Sequence, residues 1–300
     1  MNTVEEVLTA FERDCISIRG MAANTIKSYK RELSVMDRFF QKKSKSLLTA
    51  VYDDFLAWRE SLKRAPSGIN ICLCAARAFF SFCESRGIIR PNPFPTCFKI
   101  KVKTQEPTAV PTVAEFLAMR DKLEGEIEGI RLDKITRQAI VETLAGSGLR
   151  IEALLTLKAK HLHLDNDRPH ILVDSDMSCK GKSAGTVPLS PYCAEVLRKY
   201  LVEHHPAAKD NVFPVTAATV RALLVKITPA SLGVVPHSLR HFYCSMTYFK
   251  NFDGGKNDIV WVCEAAAHSN INTTHIYCKM AKRVCQTEQE WELWAKGKSA

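Results

Sequence analysis

Eleven cysteines are scattered through the 300 residues, yet the chain has no CxxC pair, and its closest two, Cys72 and Cys74, are separated by a single residue. Ligand pairs at zinc spacing are therefore missing, and the cysteines read as reduced thiols that behave as small hydrophobes inside helices. No apolar run approaches the roughly 18 residues that a bilayer demands. The opening MNTVEEVLTAFERD carries acidic residues where a secretory leader would carry a basic segment and then a pure apolar one. A cytoplasmic protein with no membrane partner is the expectation. No GxxxxGK[ST] loop and no cluster of carboxylates suited to magnesium occurs, which argues against nucleotide-driven or two-metal chemistry and for a protein without cofactor or metal. Internal repeats and low-complexity segments are absent as well.

What is present is a globular composition, 46% apolar and 25% charged, over a length that accommodates two domains with separate cores. The formal charge is +10, and it is unevenly spread: residues 1–110 carry 18 Lys and Arg against 11 Asp and Glu, the remainder 24 against 21. A basic first third is compatible with a polyanionic partner, to which it would bind in a salt-dependent and largely sequence-independent way. A merely solvated basic face fits the charge equally well.

Four stretches in the first hundred residues have helical periodicity: VEEVLTAFERDCISI, NTIKSYKRELSVMDRFFQKK, YDDFLAWRESLKR and SGINICLCAARAFFSFCESRG. Asn24 and Ser67 are the expected N-caps of the second and fourth, and Gly87 ends the fourth. The following IIRPNPFPTCFKIKVKTQEPTAVPT contains five prolines and no period, which marks a linker. Helical patterning resumes near Thr112. Between His161 and Ser190 it gives way to short extended runs, HLHL, HILVD and GTVPLS, separated by turn formers, which predicts a small antiparallel sheet. Helices then return, and one last helix is expected over KRVCQTEQEWELWAK. The chain thus divides into a helical domain (1–98), a linker (99–111), a second domain (112–283) and a tail (284–300).

The residues that carry chemistry lie in the second domain, and each is weak alone. GSGLRIEALLTL places Arg150 after a glycine turn. PHSLRHF supplies His237 and Arg240 on one helical face. CKGKSAGTVPL offers Lys180 and Lys182 on a hairpin turn, and AAAHSNINTTHIY ends in His268 and Tyr277.

In this order, GLR…KGK…VPL…HxxR…HSxxxTTxxY resembles the pattern of the tyrosine recombinase (lambda-type integrase) family. NTIKSYKREL and SGINICLCAARAFFSFCESRGIIRPNP resemble the helical core-binding domain of its Xer-like members, so the likeness covers nearly the whole chain. Tyr277 stands nine positions after His268, as that pattern requires, and Lys180 stands seven before Val187, which favours it over Lys182. The resemblance implies a mainly α fold with a small antiparallel β-sheet: a helical SAM-like core-binding domain followed by an α+β catalytic domain. It also implies a site-specific recombinase or integrase, of a mobile element or for chromosome or plasmid resolution, that cuts and rejoins double-stranded DNA through a 3′-phosphotyrosyl bond. Such an enzyme works as a homo-oligomer, a dimer on each short site and a tetramer in synapsis, with accessory DNA-bending proteins in some systems. Alternatives that share the fold are a catalytically silent DNA-binding regulator and a strand-relaxing enzyme of the type IB topoisomerase kind.

The chemistry explains the company these residues keep. Attack on a phosphodiester gathers negative charge on the non-bridging oxygens, and Arg150 and Arg240 can stabilise it bidentately without ever deprotonating. A tyrosine ordinarily ionises near pH 10, so Tyr277, the implied nucleophile, needs a base and nearby positive charge. His237 is the expected base, Lys180 the proton donor to the leaving 5′ oxygen, and His268 a hydrogen-bond donor to the phosphate. One position departs from the family: the acidic residue usual three places after the first arginine is replaced by Ala153. Glu152, one place early, is expected to point about 100° away. In the tail, Val284, Trp291 and Trp294 share a helical face. That face could cover the chain's own core, and the family favours docking on a neighbouring protomer as an exchange element.

Overall fold

A computed structural model describes residues 3–94, 100–101, 109–165, 167–174, 177, 185–266, 271 and 274–297. Its contacts divide the chain into two compact units, Met1–Thr104 and Gln105–Ala300. Among the described residues the fold is mainly helical, with a single three-stranded antiparallel sheet, as the sequence leads one to expect.

The first unit is built from α1 (Val4–Ser17), α2 (Ala23–Lys42), α3 (Tyr52–Ser61) and α4 (Pro66–Ser85). Thr3 opens α1 with a reciprocal cap, its hydroxyl accepting from the Glu6 N–H at 3.2 Å while Glu6 accepts from the Thr3 N–H at 2.8 Å. The other two expected caps are corrected: α2 starts from Ala22 and α4 from Ala65, leaving Asn24 and Ser67 inside their first turns. At α4 the ring of Pro66 takes the first helical position, where a missing N–H costs no hydrogen bond, and this supplies the start that a side-chain cap would have. Gly87 closes α4 as expected, at φ +67°, and lets Ile88 N–H reach the Cys83 carbonyl at 2.9 Å. By length and composition α4 is apolar enough to cross a membrane, contrary to the reading that no run approaches that length. Its apolar side chains go instead into a core of aromatic rings, in which Phe80 lies 4.9 Å from Phe55 and 5.6 Å from Phe94.

The second unit opens with α5 (Val113–Lys122), capped by Thr112 and Glu115 where helical patterning was expected to resume. α6 (Lys134–Ser147), α7 (Ile151–Leu155), α8 (Pro191–His204), α9 (Ala217–Ile227), α10 (Pro236–Phe249), α11 (Ile259–Ala265), α12 (His275–Val284) and α13 (Glu288–Lys296) follow. The sheet, β1 (Leu162–His163), β2 (His170–Val173) and β3 (Gly185–Pro188), falls inside the expected extended region and pairs Leu162 with Ile171 and Ile171 with Val187.

The single last helix expected over KRVCQTEQEWELWAK is two. Thr287 accepts from the Glu290 N–H at 3.1 Å and its own N–H donates back to Glu290, so the chain breaks after Val284 and restarts as α13. Trp291 and Trp294, assigned above to an exchange tail, are buried within their own unit. Arg120 holds them there. It donates to both oxygens of Glu142, at 2.7 and 2.9 Å, and to the Leu293 and Trp294 carbonyls at 3.1 and 3.2 Å, in the last turn of α13.

Candidate active site

The site begins at the end of α6. Gly148 stops that helix in the left-handed region at φ +62°, and a Cβ there would lie 2.5 Å from the Tyr243 ring. Gly146 is equally constrained, since its Cβ would stand 2.5 Å from that of Cys193. The GSG of GSGLR therefore lets α6 pack tightly on α8 and α10, and it delivers Arg150 to the first position before α7. Arg150 is half-buried there.

α10 carries the rest of the cationic machinery. Pro236 pre-sets its first turn, and Ser238 accepts from the Val235 N–H at 3.2 Å. His237, Arg240, His241 and Cys244 then recur at i, i+3, i+4 and i+7, one stripe of the helix. Arg240 is almost wholly buried. One terminal nitrogen donates to the Gly148 carbonyl at 2.6 Å, across 92 residues of chain, and the other donates to the Ala266 carbonyl. Its Nε has no hydrogen-bond partner among the described residues, so the buried guanidinium keeps a donor uncommitted.

Tyr277, on α12, is 2% exposed, and its hydroxyl lies 3.2 Å from Nδ1 of His241. The His237 ring packs edge-on against that of His241, with centroids 4.5 Å apart. Burial pushes the Tyr277 phenol well above its ordinary range and the neighbouring Cys244 thiol adds to this, while Arg240 and Arg150 pull it down. The phenol is thus protonated in the free protein, within the field of two guanidinium groups. His237 is held below the ordinary histidine range by burial first, then by Arg240 and Arg150, with Glu152 opposing them.

Of the residues expected to act together, Arg150, His237, Arg240 and Tyr277 are brought into one electrostatic neighbourhood at the junction of α6, α7, α10 and α12. Lys180, Lys182 and His268 lie outside the described residues. Ala153 is buried apolar packing and Glu152 is exposed, as the one-place shift on the helix requires, although its charge still reaches His237. His241 was passed over in the sequence. Its signal was there: it stands four places after His237 and one after Arg240, on the same face. Among the described residues no group of three or more His, Cys, Asp or Glu side chains is arranged to hold a metal ion.

The family model described as the phage integrase family matches residues 118–283, and that of its N-terminal SAM-like domain matches residues 8–87. A tyrosine recombinase XerD of Lacticaseibacillus casei is 26% identical over 284 residues, 88% of this chain and 90% of its own. A putative integrase/recombinase of Sinorhizobium fredii is 28% identical, covering 97% of this chain and 91% of its own. Among solved structures, the XerH recombinase in a post-cleavage complex with a palindromic difH substrate superposes with a TM-score of 0.70 at 19% identity, over 96% of this chain and 84% of that one. A lambda integrase dimer bound to a COC′ core site also gives 0.70, at 15% identity, over 92% of this chain and 95% of that one.

Proposed function

The chain belongs to the phage integrase family, as a tyrosine recombinase, and from that premise we propose that it recombines two short double-stranded DNA sites by transesterification at Tyr277. The observation that carries this reading is the seat of Arg240. A guanidinium this deeply buried, fixed by two backbone carbonyls and with its Nε–H uncommitted among the described residues, is a preorganised receptor for a phosphate oxygen, and it lies close enough to Tyr277 to bias the phenol.

In this reading Tyr277 Oη attacks the scissile phosphorus, and Arg150 and Arg240 stabilise the charge on the non-bridging oxygens. Lys180 protonates the departing 5′ oxygen and His268 donates to the phosphate, roles that rest on the family pattern. The bond energy is kept in the 3′-phosphotyrosyl ester and spent when another 5′-hydroxyl attacks. No nucleotide is hydrolysed in either step. The relatives support DNA as the partner: XerH and lambda integrase are each solved on it, the latter as a dimer on one core site. A dimer on each site and a tetramer at synapsis, with accessory DNA-bending proteins where the sites require them, complete the proposal. The integrase named among the relatives and a transposon integrase among the solved structures favour a mobile-element setting.

A pool of randomised duplexes nicked near their centres tests the reading, because the short 5′ fragment released by cleavage diffuses away and traps the adduct. Wild type should yield a covalent protein–DNA band on a denaturing gel and Tyr277→Phe none. An adduct that survives Tyr277→Phe removes this residue as the nucleophile.

A further inference from the structure

We propose that His241 is a catalytic residue of strand cleavage, its Nδ1 taking the phenolic proton of Tyr277 as the tyrosyl oxygen bonds to phosphorus. The proposal rests on the reading of Tyr277 as nucleophile, and it is carried by geometry. The phenol is almost fully shielded from water, so the proton needs a protein acceptor, and the His241 ring nitrogen stands 3.2 Å from the hydroxyl, within reach of a general base. Among the described residues, the other groups about Tyr277 are poorer acceptors. Arg240 and Arg150 are permanently protonated and have no lone pair to offer. Cys244, on the same stripe of α10, is a fully buried thiol whose burial holds its proton in place. His237 was the expected base, but it sits in the field of both arginines and meets Tyr277's neighbourhood edge-on through the His241 ring.

The step balances. The Tyr277 O–H bond breaks, its electron pair forms the new O–P bond, and the proton moves to His241 Nδ1, giving imidazolium. The P–O5′ bond breaks towards oxygen, which takes a proton from the donor assigned to Lys180. On rejoining, the incoming 5′-hydroxyl gives its proton back to the group assigned to Lys180, bonds to phosphorus and displaces Tyr277, and His241 returns its proton to the phenolate. One residue thus serves both directions.

His241→Asn separates proton transfer from positioning, because the amide oxygen can stand where Nδ1 stands and still accept a hydrogen bond, yet it cannot take up a proton. Single-turnover adduct formation on a nicked duplex, followed from pH 6 to 10 in full-length protein, reads the difference. Among the described residues, His237 from α10 and Tyr277 from α12 stand against His241, and Arg240, Arg150 and Cys244 act on Tyr277 beside it. The expected result is unchanged DNA binding in a gel shift and a rate lowered about 10²- to 10⁴-fold near neutrality. That gap should narrow as the small phenolate fraction of Tyr277 grows with pH, and added imidazole should restore part of the rate of His241→Gly. A loss that is equal at every pH, or a rate within threefold of wild type throughout, overturns the proposal. If His241→Asn does not fold, imidazole rescue of His241→Gly decides by itself, and its failure counts against the proposal. An adduct missing from wild type, or present in Tyr277→Phe, overturns the nucleophile reading instead, and His241 falls with it.

Discussion

Both α4 and α10 are deeply buried in their units, yet what they bury differs in kind. The buried residues of α4 are Cys72, Leu73, Ala75, Ala76, Phe79, Phe80, Phe82 and Cys83, all apolar. α10 buries Leu239, Phe242, Tyr243, Cys244 and Met246 together with Ser238, Arg240, Ser245 and Thr247. Burying a polar group costs free energy unless it is hydrogen-bonded, and most of those on α10 are. Thr247 donates to the Tyr243 carbonyl at 2.9 Å, Ser238 caps the helix start, and Arg240 holds two carbonyls. α4 stabilises mainly by area, whereas α10 spends part of its burial on holding charge at a fixed point. Core function and site function can therefore be separated by mutation.

The sharpest separation is at Phe80, which packs against Phe55, Phe79 and Phe94. Phe80→Ala should destabilise the first unit by about 3–5 kcal/mol through lost transfer energy and the cavity left behind. Hydrogen-exchange mass spectrometry should show lost protection confined to α1–α4, with protection of α10 and α12 unchanged. Matched losses in α10 would mean that the two cores are one cooperative unit.

The converse substitution is Arg240→Lys. An ammonium cannot make the fork that holds the Gly148 and Ala266 carbonyls and still present a free N–H. Adduct formation should fall about 10²- to 10³-fold, equivalent to roughly 3–4 kcal/mol of barrier, while exchange protection in α1–α4 stays as in wild type. A variant retaining more than a tenth of the wild-type rate would show that charge at this position suffices without its geometry.

The two helices also differ in how much of their role was legible in the sequence. α4 was read almost completely, because an apolar period between linker-like segments depends only on local residues and on Gly87. Its start was misassigned because Pro66 supplies a preset backbone where a side-chain cap was expected. For α10 the residue types of the site were legible, His237 and Arg240 with Arg150 and Tyr277, because their order along the chain carries the family pattern. What gives them meaning was not. The seat of Arg240 depends on carbonyls of Gly148 and Ala266, 92 and 26 residues away, and no local pattern announces such contacts. His241 was hidden for a related reason: a second histidine beside HxxR gains significance only when α12 brings a hydroxyl to it. The break at Cys285–Thr287 was legible in principle, since Thr287 and Glu290 make a capping box, but the apolar period of Val284, Trp291 and Trp294 read through it.

The first unit does contain buried charge, at Asp14 and Glu32, and Glu32 provides the finest test of the contrast with α10. Glu32, on α2, is 2% exposed and accepts from Arg31 at 2.7 and 2.9 Å, from Arg64 at 2.5 Å and from the Cys72 thiol of α4 at 3.1 Å. Burial pushes its carboxyl up, but the hydrogen bonds from Cys72, Arg31 and Arg64 outweigh it and hold the group below the usual glutamate range. A carboxyl depressed in the folded state binds fewer protons there than in the unfolded chain, so its contribution is fully present above the ordinary glutamate value of about 4.3 and is lost as pH falls through the folded value. Because the Arg31 and Arg64 side chains remain 69% and 37% exposed, water screens much of the attraction. Glu32→Gln should therefore cost only about 1–2 kcal/mol at neutral pH, read from urea dependence of exchange in α2 and α4. The same variant should lose less stability than wild type between pH 5 and the acid transition of that unit. Parallel acid sensitivity in the two proteins would mean that Glu32 is only packed in place.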